Sequence, residues 1–419
     1  MSLSRLHALY MQMKRHVMYI SAVLIIFLYV FTVRLNIGPV PVIVGPLVAW
    51  LIINPKLTQS ILRGWRSYVA LGLFLCIWLI STIVNQEFDS SGASFFTSRL
   101  VYLILAFPLI DLVSRLSEVS SEYDIFTMVN GAFFIQVGII IIFFLNPETL
   151  NSTSQYLYTD SLSQSVQEAT IGFRLIGVGI ANFGGGIIFG LYLLSLTAFM
   201  VHDKQRINFT FTLWWLLVAL ISFLIARSSL VAIFLSLLYI LLKGRREFIK
   251  FISQLILVIF IFLLLVMSTT DVSALLDSDI IRWGFEFLFS YFEAGEATTA
   301  STEHLLTMYI LPDNHLTYIF GDGRFFDPVK GEYYMNTDVG YLRLIFYVGI
   351  IGMITFIQFV WTITTGICLP KSFLSKIPYY FFIFLIISNL KGFVDATQFF
   401  GIFLAFVYMK RVGAIAWQK

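Results

Sequence analysis

The chain has 419 residues, of which 58% are hydrophobic, 17% aromatic and only 12% charged, with a formal net charge of +3. A soluble domain carries roughly 25% charged and about 45–50% apolar residues, so this composition cannot clothe a water-soluble body of such size; the mean hydropathy of +0.87 agrees. The small positive excess argues against a nucleic-acid binder, and Cys76 and Cys368 offer neither metal-ligand spacing nor a disulfide framework. Apolar blocks of helix length, as in Ile139-Ile-Ile-Ile-Phe-Phe-Leu145, argue against an outer-membrane barrel.

A spanning helix needs about 20 mainly apolar residues. That window predicts an all-α, polytopic integral membrane protein with twelve spans, at 17–33, 38–53, 68–85, 99–113, 124–146, 181–201, 210–226, 228–242, 251–268, 339–362, 378–391 and 394–409. The first has no small-residue cleavage site behind it and reads as a retained helix rather than a signal peptide. Two connections are long. Segment 147–180 is polar and rich in Ser, Thr and Gln; segment 269–338, between the ninth and tenth spans, is patterned and aromatic, and loops of that length are usually functional. With no soluble domain and no internal repeat visible, residues 1–419 read as one transmembrane domain.

Basic residues orient the spans, because Lys and Arg favour cytoplasmic loops. With both termini inside, 18 of the 27 basic residues fall on the inner side, the Lys243-Gly-Arg-Arg246 turn being the firmest anchor. Nine face outward: Arg34, Arg99, Arg174, Arg227, Arg282, Arg324, Lys330, Arg343 and Lys391. The cores of the spans are almost free of charge, which disfavours a coupled transporter, since a moving ion must be met near the midplane. Asp111, Arg227, Asp338, Arg343 and Asp395 lie at span ends, and the polar groups gather on the outer side.

Several outward residues invite two readings each. Arg227, in Ile225-Ala-Arg-Ser-Ser229, either snorkels from a helix end or forms an anion site with Ser228, Ser229 and the amides of the next helix. Arg174 stands in Gly172-Phe-Arg-Leu-Ile-Gly-Val-Gly-Ile-Ala-Asn182-Phe-Gly-Gly-Gly186; its glycines serve packing, ligand approach, or simply a loop with a solvated arginine. Residues 280–293 predict an interfacial amphipathic helix whose polar stripe holds Arg282, Glu286 and Glu293, so Arg282 either pairs with Glu286 or joins a site. The Gly321-Asp-Gly323 turn presents Arg324. Asp338 caps the re-entering helix or does chemistry there, and His315 is a solvated loop residue or an acid/base. Arginine forks bind phosphate and stay charged at any working pH, so the set suits a substrate with a phosphate head and a lipid tail. No Asp/Glu cluster in these loops calls for a metal, and nothing calls for a cofactor.

Arg174 with Gly177 and Asn182 ahead of a helix, Ala226-Arg-Ser228 at a hinge, and a long late loop closing on Asp338-x-Gly340 and Gly349-x-x-Gly352 resemble the O-antigen polymerase and ligase superfamily. The similarity covers the topology of nearly the whole chain through short, degenerate motifs. Met335-Asn-Thr337 precedes Asp338 where the ligase branch carries a histidine, which favours the polymerase (Wzy) branch. The resemblance implies a GT-C-like, metal-independent glycosyltransferase of the bacterial inner membrane. It would act at the periplasmic face among membrane lipids, transferring the growing glycan from undecaprenyl diphosphate onto a lipid-linked oligosaccharide repeat unit, with a chain-length regulator as partner. Arg174 and Arg227 would bind the donor diphosphate, with Arg282 and Arg324 as further candidates, and His315 or Asp338 would take the proton of the attacking hydroxyl. The alternatives are an O-antigen ligase, transferring glycan to lipid A–core, and a flippase or other transporter of polyprenyl-linked oligosaccharide.

Overall fold

A computed structural model describes residues 3–158, 174–179, 182–202, 207–269, 278–295, 298–327 and 332–413. All twelve predicted apolar segments coincide with helices. In chain order these are α1 (Leu3–Val30), α2 (Val44–Ile53), a short α3 (Leu57–Arg63), α4 (Trp65–Asn85), α5 (Ser91–Ser117) and α6 (Glu122–Leu145). After α7 (Pro147–Ser154) come α8 (Asn182–His202), α9 (Phe209–Ile225), α10 (Leu230–Lys243) and α11 (Arg245–Thr269). Four short helices follow, α12 (Asp279–Gly284), α13 (Glu286–Ala294), α14 (Ala300–Thr307) and α15 (His315–Phe320). The chain ends with α16 (Gly340–Thr365), α17 (Ile377–Ser388) and α18 (Thr397–Arg411).

The described residues form no strand. Among the described residues, six helices are long and apolar enough to cross a membrane, lying within α1, α4, α5, α6, α8 and α16; α2, α9 and α17 are apolar but shorter. Burial sorts the bundle into a centre and a rim. Every residue of α8 from Gly185 to Val201 is buried, and α18 is nearly as enclosed. The rim helices turn apolar side chains outward instead: Ile83, Phe134, Phe144, Phe234 and Ile354 are all exposed. A monomer in water rarely shows apolar patches of this extent, whereas hydrocarbon solvates them at no cost. The molecule is an all-helical membrane protein.

Small residues set the closest helix contacts, as expected where lipid removes any hydrophobic drive between helices. A Cβ on Gly186 of α8 would stand 2.5 Å from the Cβ of Ala226, and one on Gly190 would meet Phe384 at 2.6 Å. Helix α16 breaks at Gly349, whose φ of 70° an L side chain rarely adopts. The short α15 packs against that break, and the Ser81 hydroxyl donates to the freed Tyr347 carbonyl at 3.0 Å.

Short helices build part of both long connections. Segment 147–180 starts with α7 and includes an extended stretch, 174–179, threaded into the bundle; residues 159–173 and 180 lie outside the described residues. The predicted amphipathic helix over 280–293 is two helices broken at Phe285. There Phe285 packs on Phe223 at 5.4 Å, and Gly284 lies against Leu224, so the segment docks on the end of α9. Glu286, one expected partner of Arg282, pairs with Arg227 instead.

Candidate functional site: a cationic cavity at one end of the bundle

The end of α6, the starts of α8 and α16, and the α9–α10 and α17–α18 connections meet around a cavity of about 590 Å³. This is within the roughly 300–1,000 Å³ typical of small-molecule sites. Five basic side chains line it: Arg34, Arg174, Arg227, Arg343 and Lys391, with Asp338 and His304 between them.

Arg174 is delivered by the extended stretch. Leu175 N–H donates to the Leu224 carbonyl at 3.2 Å, and Gln136 Nε2 donates to the Val178 carbonyl at 2.9 Å. Gly179 takes a φ of 84°, and a Cβ there would collide with the Phe31 carbonyl, so only glycine lets the chain pass between α1 and α6. Arg227 arrives on the single turn joining α9 and α10, which the Gly186–Ala226 contact holds against α8. The two guanidinium groups share one aromatic ring: Arg174 lies 4.9 Å and Arg227 4.7 Å from the centroid of Trp283.

Arg227 also organises the docked segment. Its Nη1 donates to Glu286 Oε2 at 2.6 Å and to the Trp283 carbonyl at 3.3 Å, and its Nη2 donates to the Ser301 hydroxyl at 3.0 Å. Burial pushes the Glu286 carboxyl up, but hydrogen bonds from the Ala300 N–H and Arg227 outweigh it and hold the group below the usual range. Burial, reinforced by the nearby Arg227 charge, pulls the Arg174 guanidinium down from its ordinary value. The buried Arg174 Nε has no hydrogen-bond partner among the described residues. Two like charges are thus held close together, and the one carboxylate beside them, Glu286, pairs with Arg227.

Arg343 comes from the first turn of α16 and sits in an aromatic cage, its Cζ 3.5 Å from the Tyr333 centroid and 4.3 Å from that of Phe325. It is only 8% exposed, and its Nη1 lies 3.7 Å from Asp338 Oδ1. Gly340 makes the next contact possible: a Cβ there would be 2.8 Å from the Asn389 and Gly392 carbonyl oxygens. That close approach brings Asp338 beside the loop carrying Lys391, a loop held by the Asn389 side chain, which accepts from the Val394 N–H at 3.1 Å. The Asp338 carboxylate is open to the cavity yet ringed by protein. Desolvation raises its pKa, and the charges of Arg343, Lys391 and His304 offset this only in part.

The cavity therefore gathers three of the six residues singled out from the sequence, Arg174, Arg227 and Asp338. The other three stand elsewhere. His315 opens α15 on the exposed surface, Arg324 pairs with Glu87, and Arg282 lies over Phe289 with Glu293 at 4.0 Å. Ser228 and Ser229 keep buried, unpartnered hydroxyls but are not part of the lining. Sequence reasoning placed Arg34, Arg343 and Lys391 on the outer side without assigning them a site, and it gave His304, Trp283 and Tyr333 no role. All five cavity cations belong to the nine outward basic residues, and that was the available signal. Chemically the lining fits an anion, an excess of guanidinium and ammonium groups around one carboxylate. Among the described residues, no three His, Cys, Asp or Glu side chains come together as a metal site would need. No family model, no curated protein and no solved structure matches the chain.

Proposed function

We propose that the chain is an O-antigen polymerase of the Wzy class, a twelve-span, GT-C-like glycosyltransferase of the bacterial inner membrane with its cationic cavity on the periplasmic side. The observation that carries this reading is a cavity at one end of the helical bundle lined, among the described residues, by five cations and a single carboxylate, Asp338. A diphosphate with a prenyl tail is the anion such a place can reach from the membrane, and Arg174 and Arg227 are placed to take its charge. The step is a displacement. An acceptor hydroxyl oxygen bonds to the donor's anomeric carbon as the bond from that carbon to the diphosphate oxygen breaks. The electron pair leaves with the diphosphate, onto the arginines, and the hydroxyl proton passes to Asp338. The preorganised cations act where charge develops, which is the most effective place for them.

One observation favours a second reading. His304 lines the cavity close to Asp338, supplying through space the histidine that the residues just before Asp338 do not, and this is the feature associated with the ligase branch. Deleting the gene in its native host separates the two. Single repeat units on lipid A–core identify the polymerase; glycan left on its lipid carrier identifies the ligase; an unaltered surface glycan overturns both.

A further inference from the structure

Against the cationic cavity lies a second one, of about 370 Å³. The two share Phe393, and Phe325 of the second touches the Arg343 guanidinium of the first at 4.3 Å, so the partition is one side chain thick. A single carboxylate builds it. Asp89 Oδ2 accepts from the Phe325 N–H at 2.6 Å and the Phe326 N–H at 3.3 Å, while Oδ1 accepts from the Ser91 N–H at 2.8 Å. This pins two aromatic rings opposite the serine-rich start of α5.

The lining pairs flat rings with hydroxyls: Phe95, Phe326 and Phe393 face Ser90, Ser91 and Ser94. Its one cation is neutralised, because Arg99 meets Asp395 through both Nη2, at 2.7 Å, and Nε, at 2.9 Å. Phosphate finds no spare charge here. The Ser91 hydroxyl donates to Asp89 Oδ1, but a prenyl chain would leave the Ser90 and Ser94 hydroxyls and an ion pair facing hydrocarbon, which is costly. A sugar ring has an apolar C–H face for the aromatic planes and a rim of hydroxyls for the serines, the mixture of apolar wall and few polar groups that small-molecule sites use.

We propose that the second cavity is the acceptor subsite, binding the terminal sugar of the incoming repeat unit onto which the growing glycan is transferred, with its attacking hydroxyl directed past Phe393 toward Asp338. The proposal rests on the reading of the first cavity as the diphosphate donor site.

The test uses the full chain in nanodiscs. Ser94→Trp fills the second cavity without touching the first. Transfer should fall about tenfold or more, the scale of losing one group's fit in a pocket, while farnesyl diphosphate, the probe for the first cavity, binds as in wild type. Normal transfer by Ser94→Trp, with the probe still bound, overturns the acceptor subsite and leaves the donor site standing. Loss of probe binding in Ser94→Trp places the prenyl chain in the second cavity and also overturns it. Failure of the wild type to bind farnesyl diphosphate overturns the donor reading itself. Should Ser94→Trp not insert, Phe326→Ala removes a stacking plane without adding bulk, and it should raise the acceptor KM several-fold while kcat holds. An unchanged KM in that variant overturns the proposal.

Discussion

The two neighbouring cavities share a wall but treat charge in opposite ways. In the first, Arg174 and Arg227 crowd one Trp283 ring with Glu286 as the nearest answering charge, and buried Nε atoms of Arg34, Arg174 and Arg343 have no partner among the described residues. In the second, Arg99 is tied twice to a buried Asp395. A buried guanidinium without a carboxylate partner costs several kcal/mol, and folding alone gives no reason to bring Arg174 up against Arg227. The difference teaches that residual charge after pairing, rather than the number of arginines, distinguishes an anion site from a structural ion pair.

The sharpest way to break this contrast is Arg227→Ala, which removes a cation and leaves Glu286 without its partner. Transfer should fall by about 10²–10³-fold, as when one preorganised donor is lost from a site where charge develops, and farnesyl diphosphate should no longer bind. A normal ladder of chain lengths from an inserted Arg227→Ala protein would sink the donor site. Next in size is Asp338→Asn, expected to cost about 10²-fold or more as a lost general base, with probe binding kept. Because the Asp338 carboxyl lies above the ordinary aspartate range, its basic form exists above that raised pKa and disappears as pH falls through it. The acid limb of the wild-type rate profile should therefore sit higher than a solvated carboxylate would place it, and Asp338→Asn should abolish it. A limb that persists in Asp338→Asn would move the base to another residue, His304 being nearest.

Gly179→Ala tests whether the threaded stretch shapes the first cavity. The added methyl meets the Phe31 carbonyl in a left-handed backbone, so a loss of about 1–3 kcal/mol is expected from overpacking alone, read as a lower unfolding temperature together with weaker probe binding. An unaltered unfolding temperature would mean that the stretch yields without disturbing Arg174. The smallest effect belongs to Arg324→Ala. Its guanidinium is exposed and paired with Glu87, so about 0–1 kcal/mol of stability is at stake and transfer should not change. A large loss of transfer there would extend the site beyond the cavity.

Much of this was legible along the chain because lipid is an exacting solvent. Twelve apolar blocks became helices because backbone groups in hydrocarbon must be satisfied within their own segment. The functional side was legible in part: Arg174 was marked by its glycines, Arg227 by its hinge, Asp338 by its place ahead of α16. What failed to read was convergence. Arg324 and His315 stood on the same loop as Asp338 and looked like its companions, but the Gly349 break seats α15 against α16 and leaves His315 on the surface, while Glu87 takes Arg324. Arg282 was read beside Glu286, yet the break at Phe285 turns Glu286 toward Arg227.

The sequence by itself determined a helical membrane protein and narrowed the cations of the cavity to the nine expected to face outward, because charge is so costly in hydrocarbon that its placement is nearly fixed by the apolar segments. Only the tertiary structure decided which of those nine meet. Arg34, Arg174, Arg227, Arg343 and Lys391 are separated by up to hundreds of residues and joined by contacts, such as Gly186 on Ala226 and Gly340 on the Asn389–Gly392 loop, that depend on backbones passing without a Cβ between them. Such contacts leave a glycine in the sequence but not the name of its partner. The same holds for Asp89, whose hydrogen bonds to Phe325 and Phe326 join positions far apart in the chain and shape the second cavity.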